Sequence, residues 1–335
     1  MDENILPVCL GQFEKVITSR LILFLLLCKL ILMDKTIIGI FCYKRAAKLK
    51  ASIEALLKNP ECSAIDIIFF ADGYKNENDK QGVLETRAYI DTITGFKNIH
   101  KHFREKNVST GPNFQTGLTY LCNNYDQFII VEDDLVVTPN YIKFLLDGLA
   151  FYKNEKSVFC VTGFCFPLHI KNYAYDTIVY NRFCSYGWAS WSDRVRNVIW
   201  DKDGLSSLIK TSPHFKRRLN KEGMDLFRML KKQINGTIST WDIQMQVHVA
   251  EHNYKVIYPV ISKAANIGFD NESTNTFGID YLKTPQDSGE KREFNFCSVN
   301  VIVPSLQKQL KKPYSLPALA ARKVINTVIK LTSKG

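Results

Sequence analysis

Three consecutive acids, Glu132, Asp133 and Asp134, follow the unbroken apolar run Phe128-Ile129-Ile130-Val131. Such a run, rich in β-branched residues, suits a strand buried on both faces of a sheet. Chain direction then puts the three carboxylates at the carboxyl end of a central strand, where open α/β sheets bind their ligands. Adjacent carboxylates repel one another, and enclosure adds a desolvation cost to each; a bound cation or several hydrogen-bond donors relieve both. The bland alternative is a solvated acidic turn that stops a strand. Apolar Leu135, Val136 and Val137 resume at once and would bury such a turn, which favours a metal-bearing site. A second pair, His248 and His252, has the i, i+4 spacing that can hold a metal on a helix. With no third ligand in view, that pair reads as surface or structural.

The elements that must position the acids alternate between strand and helix. Residues 36–42 form a first apolar strand, 46–57 a helix stopped by Asn59-Pro60, and 64–71 a second strand ending in Asp72-Gly73. A helix through Val83, Arg87 and Ile90, a short strand over 99–103 and a helix over 113–122 lead into the acidic strand. A helix opened by Pro139 and a strand over 157–162 complete the regular part. This order predicts an α/β fold with a mainly parallel, doubly wound sheet. The second half is less regular. It holds an aromatic stretch over 180–201, a basic helical stretch over 206–235, a helix over 241–253 capped by Ser239 or Thr240, and a strand over 255–261. Residues 263–280, dense in Asn, Gly, Ser and Thr, have the composition of a mobile loop.

Four blocks are expected: an extension over 1–33, a ligand-binding half over 34–165, a second half over 166–300, and a tail over 301–335. The 335 residues carry a formal charge of +11. Seven bases and no acid lie from Val301 onward, so the tail holds 7 of the 11 net charges. With its interleaved Leu, Val and Ile, that tail fits an amphipathic helix on an anionic membrane surface, or a basic helix packed on the body. No DNA-binding signature accompanies the charge, so nucleic acid is not expected. The nine cysteines lack a Cys-x-x-Cys pair and most sit in apolar runs, as small core residues of a reducing compartment would. Residues 21–33 are apolar but shorter than the roughly 20 that span a bilayer. Three readings compete for them: a membrane anchor over 17–33, a poor signal-anchor, or an upstream extension with the functional start at Met33, which is preferred.

Four ordered segments carry a resemblance: Phe-Cys-Tyr-Lys-Arg over 41–45, Val-Glu-Asp-Asp-Leu over 131–135, Gly-Trp-Ala-Ser-Trp over 187–191, and Thr-Trp-Asp over 240–242 followed by Ile-Ser-Lys-Ala-Ala-Asn-Ile-Gly-Phe over 261–269. Together they resemble nucleotide-sugar glycosyltransferases of the GT-A fold. In pattern they lie nearest the inverting N-acetylglucosaminyltransferase I family and its bacterial sugar-transferase relatives.

The resemblance implies that Asp134 ligates Mn2+ or Mg2+, oxygen donors suiting these ions, while Glu132 and Asp133 hold ribose and sugar hydroxyls. It implies that Arg45 contacts the nucleotide and that Asp72 reads the base edge, although Asp72-Gly73 is equally ordinary turn chemistry. Ser262 and the loop after it match a segment that closes over the diphosphate. Asp242, beside Trp241, matches the base that deprotonates the acceptor; an acid in the first turn of a helix is also favoured by the helix dipole. The family pattern has two adjacent acids after this Trp, whereas here Asp242 precedes Ile243. Trp188 and Trp191 fit either sugar stacking or core packing.

The function expected is inverting transfer from a nucleotide-diphospho-sugar, a UDP-sugar by preference, to a glycan or glycolipid hydroxyl. The setting would be cell-surface polysaccharide synthesis on the inner face of a bacterial cytoplasmic membrane. A sugar nucleotidyltransferase would want a glycine-rich loop after the first strand, and residues 41–47 contain no glycine. Glycoside hydrolysis needs two carboxylates but neither triplet nor metal. A non-catalytic membrane- or glycan-binding relative would keep the basic surface and have no use for the triplet.

Overall fold

The computed structural model describes residues 36–268 and 283–332. Strand β1 (Thr36–Cys42) is buried at all seven positions, as its Thr-Ile-Ile-Gly-Ile-Phe-Cys sequence requires. It pairs in parallel with β2 (Asp66–Ala71) on one side and with β4 (Gln127–Glu132) on the other. Strand β3 (Ile99–Phe103) continues the parallel set beyond β2. On the other flank β8 (Trp188–Trp191) runs antiparallel between β4 and β6 (Val158–Thr162). Then come β9 (Lys255–Pro259), parallel to β6, and β7 (Thr177–Tyr180), antiparallel at the edge. The order is β3-β2-β1-β4-β8-β6-β9-β7, so six of the eight strands share one direction and both halves of the chain contribute to one sheet.

Helices cover both faces, which makes the sheet doubly wound. Helices α1 (Ala46–Leu56), α2 (Glu77–Thr92) and α4 (Tyr141–Phe151) place Leu49, Ile53, Ile90, Phe144 and Leu145 in one core. On the other face, α3 (Thr110–Asn124) contributes Phe114, Leu118 and Leu121. After α5 (Ser192–Val195), the basic stretch forms three short helices, α6 (Lys202–Thr211), α7 (Phe215–Asn220) and α8 (Leu226–Ile234). Their Leu205, Phe215, Leu219, Leu226 and Leu230 make a third core with Ile243 and Val247 of α9 (Asp242–Glu251).

Several boundaries move. Residue 64 belongs to a 3-10 turn, so β2 starts at Asp66, and Pro139 lies ahead of α4, whose cap is Asn140. Strand β9 stops at Pro259, and Ile261 is exposed. Within the stretch expected to be a loop, residues 264–266 form strand β10 (Ala264–Asn266), antiparallel to β5 (Leu135–Val137); residues 269–282 lie outside the described residues.

The basic tail divides in two. Helix α10 (Pro304–Lys311) buries Leu306 and Leu310 in the core, and Tyr314 stacks on the Arg182 guanidinium at 3.4 Å. Helix α11 (Leu316–Thr332) instead leaves Leu316, Val324 and Ile325 exposed. The apolar segment expected over residues 1–33 lies outside the described residues, and among the described residues no helix is long and apolar enough to cross a membrane. The seven described cysteines are free thiols, six of them buried.

Candidate active site

Strands β2 and β3 follow β1 outward on one side, and β4 returns to its other side. The order therefore reverses between β1 and β4, the place where open α/β sheets leave a crevice at the strands' carboxyl ends. Phe41 of β1 stands opposite Glu132 of β4. Arg45, at the N-cap of α1, and the acid triplet, running from the end of β4 into the turn before β5, thus converge from neighbouring strands. The Arg45 guanidinium donates to Asp133 and pairs with Asp134 Oδ2 at 2.9 Å.

The electrostatics show how crowded this place is. Burial raises the Glu132 pKa well above the usual carboxylate range; the charges of Asp134 and Asp133 raise it further, against the pull of Arg45. Burial pushes Asp133 up to about 6 even though Arg45 opposes it, with Asp134 adding to the rise. For Arg45, burial acts to lower the pKa, and the charges of Asp133 and Asp134 outweigh it, holding the guanidinium protonated. One cation against three carboxyls leaves excess negative potential, and every donor there is oxygen. The residues fit a hard divalent ion such as Mn2+ or Mg2+.

Asp242 lies near enough to the triplet for its charge to add, as the last of several causes, to the rise of Glu132. Its position is inherited from an aromatic stack. Phe41 stacks on Phe114 at 3.8 Å and Phe114 on Trp241 at 4.0 Å. A Cβ on Gly117 would come within 2.5 Å of the Phe41 ring, so glycine there makes room for the stack. Trp241 is buried and Asp242 is the first residue of α9, half-buried. The expected cap by Ser239 or Thr240 is corrected: Trp241 holds the cap position with no side-chain cap bond, and the Thr240 hydroxyl donates instead to the Asp242 carboxylate.

The remaining expected residues divide. Asp72, 4% exposed, accepts from the Gly73 and Val108 amides at 2.9 and 3.0 Å and from Asn107 Nδ2 at 3.0 Å. These bonds do the turn-holding work that Asp-Gly chemistry predicts. Ser262 is buried; its hydroxyl donates to the Ala264 carbonyl and accepts from the Cys165 amide. It anchors the approach to β10, and residues further on reach the acids. Trp188 and Trp191 are both buried, which settles them as core. His248 is also buried rather than at the surface, whereas His252 is exposed.

Beyond Ser262, the residues of the 261–269 segment have no individual role in the sequence reading. Asn266 Nδ2 donates to Asp134 Oδ1 at 3.1 Å, the Ile267 amide donates to the Asp134 carbonyl at 2.8 Å, and Lys48 Nζ reaches the Ile267 carbonyl at 2.7 Å. A Cβ on Gly268 would lie 2.1 Å from Asp134 Oδ2, so the glycine allows the backbone to approach the carboxylate. The signal was the Asn-Ile-Gly run itself, an amide side chain and a glycine beside an otherwise apolar strand. Tyr43 and Lys44 both donate to Asp79, which fastens the loop after β1 to the start of α2.

No protein-family model and no curated protein matches this chain. Among solved structures it is similar to S. aureus TarS, at 14% identity over 41% of this chain and 23% of that one, with a TM-score of 0.28. It is also similar to the mannosyltransferase PcManGT from Pyrobaculum calidifontis, solved with GDP-Man and Mn2+, at 10% identity over 65% of this chain and 69% of that one, with a TM-score of 0.39. The chain thus spans about a quarter of the first and about two thirds of the second. The fold assignment stands on the strand order and the switch point.

Proposed function

We propose that the protein is an inverting, metal-dependent glycosyltransferase that moves a sugar from a nucleotide-diphospho-sugar, a UDP-sugar by preference, to a glycan or glycolipid hydroxyl. One observation carries the reading: a carboxylate triplet at the sheet's switch point, countered by a single arginine, shares its site with a separate acid at a helix start. Two carboxylate centres with different supports match a reaction that needs metal-assisted departure and a base on the opposite side.

Asp134 would hold the divalent cation, which when bound neutralises charge on the departing diphosphate. Arg45, held protonated beside Asp133 and Asp134, can turn toward the diphosphate once the ion takes over those carboxylates. Glu132 and Asp133 would orient ribose and sugar hydroxyls by accepting hydrogen bonds. Asp242 would take the proton of the acceptor hydroxyl as that oxygen bonds to the anomeric carbon from the far face. The bond from that carbon to the diphosphate breaks, and its electron pair leaves with the phosphate oxygen. Asn266, Ile267 and Gly268 line the metal-side carboxylate and would help to exclude water.

The mannosyltransferase similarity adds a neighbour whose complex contains a sugar nucleotide and Mn2+. The proposed setting is cell-surface polysaccharide synthesis at the cytoplasmic membrane, with α11 resting on anionic lipid. Its exposed Leu316, Val324 and Ile325 together with Arg322 and Lys323 support that part. The test of the activity is nucleoside diphosphate release from a panel of sugar nucleotides, with and without Mn2+ and glycan acceptors, with product anomers read by NMR. Metal-dependent release with inversion is expected. Absence of turnover with any donor and divalent ion, or retained configuration, would overturn it.

A further inference from the structure

We propose that His248, Glu251 and His252 form a second cation site, on the last turn of α9, that takes a borderline transition metal of the Zn2+ class. Positions i, i+3 and i+4 share one helix face, and one ligand atom from each of the three side chains lies within 4.8 Å of the others. The two imidazole rings are 4.2 Å apart, centre to centre.

The hydrogen bonds around the histidines separate a ligand site from a structural pair. His248 Nε2 lies 3.0 Å from the Arg194 carbonyl and His252 Nδ1 lies 3.0 Å from the His248 carbonyl. Carbonyl oxygens only accept, so both of those nitrogens carry the proton and the lone pairs fall on His248 Nδ1 and His252 Nε2. This arrangement, one N–H committed to a backbone carbonyl and the other nitrogen bare, is how metal-ligating histidines are oriented. His248 is only 3% exposed, and its Nδ1 is buried with no hydrogen-bond partner. A histidine serving the core alone would be expected to satisfy that atom. Burial, reinforced by neighbouring His252, also holds the His248 pKa down at about 4, so the ring is neutral at ordinary pH.

Two imidazoles and one carboxylate select a different ion from the all-oxygen triplet. Zn2+, Co2+ or Ni2+ suits nitrogen with carboxylate, while Mn2+ and Mg2+ suit the triplet. The sites lie toward opposite ends of α9, which starts at Asp242 and ends at Glu251. A cation at its last turn would pin α9 against α5, through the Arg194 carbonyl, and against Tyr254, whose ring stacks on His252 at 5.3 Å. The ion would therefore brace the helix that carries Asp242. The proposal does not depend on the transferase reading.

The test uses the untagged, EDTA-stripped full chain. Zn2+ uptake is followed by calorimetry and melting temperature, and Co2+ uptake by visible absorption. The wild-type chain is compared with His252→Ala and Glu251→Ala, two accessible positions whose replacement leaves the core intact, and with Asp134→Ala. The expected result is one equivalent of Zn2+ that raises the melting temperature, persists in Asp134→Ala and is lost in His252→Ala, with weakened uptake in Glu251→Ala. Bound Co2+ should lack thiolate charge-transfer bands. No uptake by the wild-type chain, undiminished uptake by His252→Ala, or a thiolate signature would overturn it.

Discussion

Asp134 and Asp242, the acids to which the proposed function gives the metal and the base, are held by different means. Asp134 lies in the turn from β4 to β5, its carbonyl taken by the Ile267 amide and its carboxylate by Asn266 and Arg45. Parallel strands and an ion pair fix it, so its place follows from the sheet. Asp242 depends on a helix start whose position is set by Trp241 against Phe114 and Phe41. Packing fixes it, so its place follows from how well aromatic rings fill the space. The triplet should therefore keep its geometry when one carboxylate is removed, whereas Asp242 should move when its aromatic support is trimmed.

The largest effect should come from Asp242→Asn, which keeps size and polarity but loses the basic lone pair. Turnover should fall by roughly 10²–10⁴-fold while nucleotide and metal affinity stay nearly unchanged, as steady-state kinetics beside calorimetry would show. Collapse of nucleotide binding would move Asp242 to the donor side and erase the distinction. Two further acids, at the aromatic stretch over 180–201, have duties elsewhere: Asp201 caps α6 through the Gly204 amide at 2.6 Å, and Asp193 pairs with Lys156 at 2.6 Å.

Trimming the support is the sharper trial. Trp241→Ala should cost about 3–5 kcal/mol of stability, the usual range for emptying a large aromatic site, and should lower turnover with Asp242 still present. Stability is read by denaturant unfolding. A destabilised variant with full turnover would show that the stack does not position the acid.

Next in size is Arg45→Met. It leaves Asp133 and Asp134 without their countercharge and should cost up to about 3 kcal/mol, less than a fully buried pair because Arg45 keeps 17% side-chain exposure. Mn2+ should restore much of that loss, measured as a larger metal-induced rise in melting temperature than in wild type. An equal rise in both would place the ion away from these carboxylates.

The smallest effect concerns α11. Deleting residues 316–335 removes four bases and should weaken binding to anionic vesicles by about 1 kcal/mol per base near the surface, in a salt-dependent way. The cut must fall after Tyr314, because Leu310 and Tyr314 belong to the body. Equal vesicle recovery with and without these residues would leave α11 without a membrane role.

The triplet was the more legible part in sequence. An apolar run followed by three acids encodes a buried strand and its carboxyl end in consecutive residues, so local pattern sufficed for β4, while its register beside β1 came only with the structure. The same holds for β2 and β3, whose runs are short but bounded by turn residues. The setting of Asp242 depends on contacts far apart in the chain, and nothing near Trp241 announces that it stacks on Phe114. Even at the triplet, nothing near Asp134 announces Asn266, 132 residues away. For His248 and His252 the choice between surface and structural stayed open for the same reason: the burial of His248 against Phe159 and Arg194 is tertiary. The two readings of the tail stayed open because charge alone does not show that Leu306 and Leu310 turn inward while Leu316, Val324 and Ile325 of α11 stay exposed.

The proposed function requires the triplet to bind a divalent ion together with a sugar nucleotide. The most direct measurement is a thermal-shift panel of UDP-, GDP-, CMP- and dTDP-sugars, with and without Mn2+, on the wild-type chain and Asp134→Ala. One nucleotide class, UDP by preference, should raise the wild-type melting temperature only when Mn2+ is present. Asp134→Ala should fold but lose that rise, since removing one carboxylate relieves repulsion while taking away the ligand. Stabilisation by a sugar nucleotide that is indifferent to Mn2+, or that survives unchanged in Asp134→Ala, would contradict it.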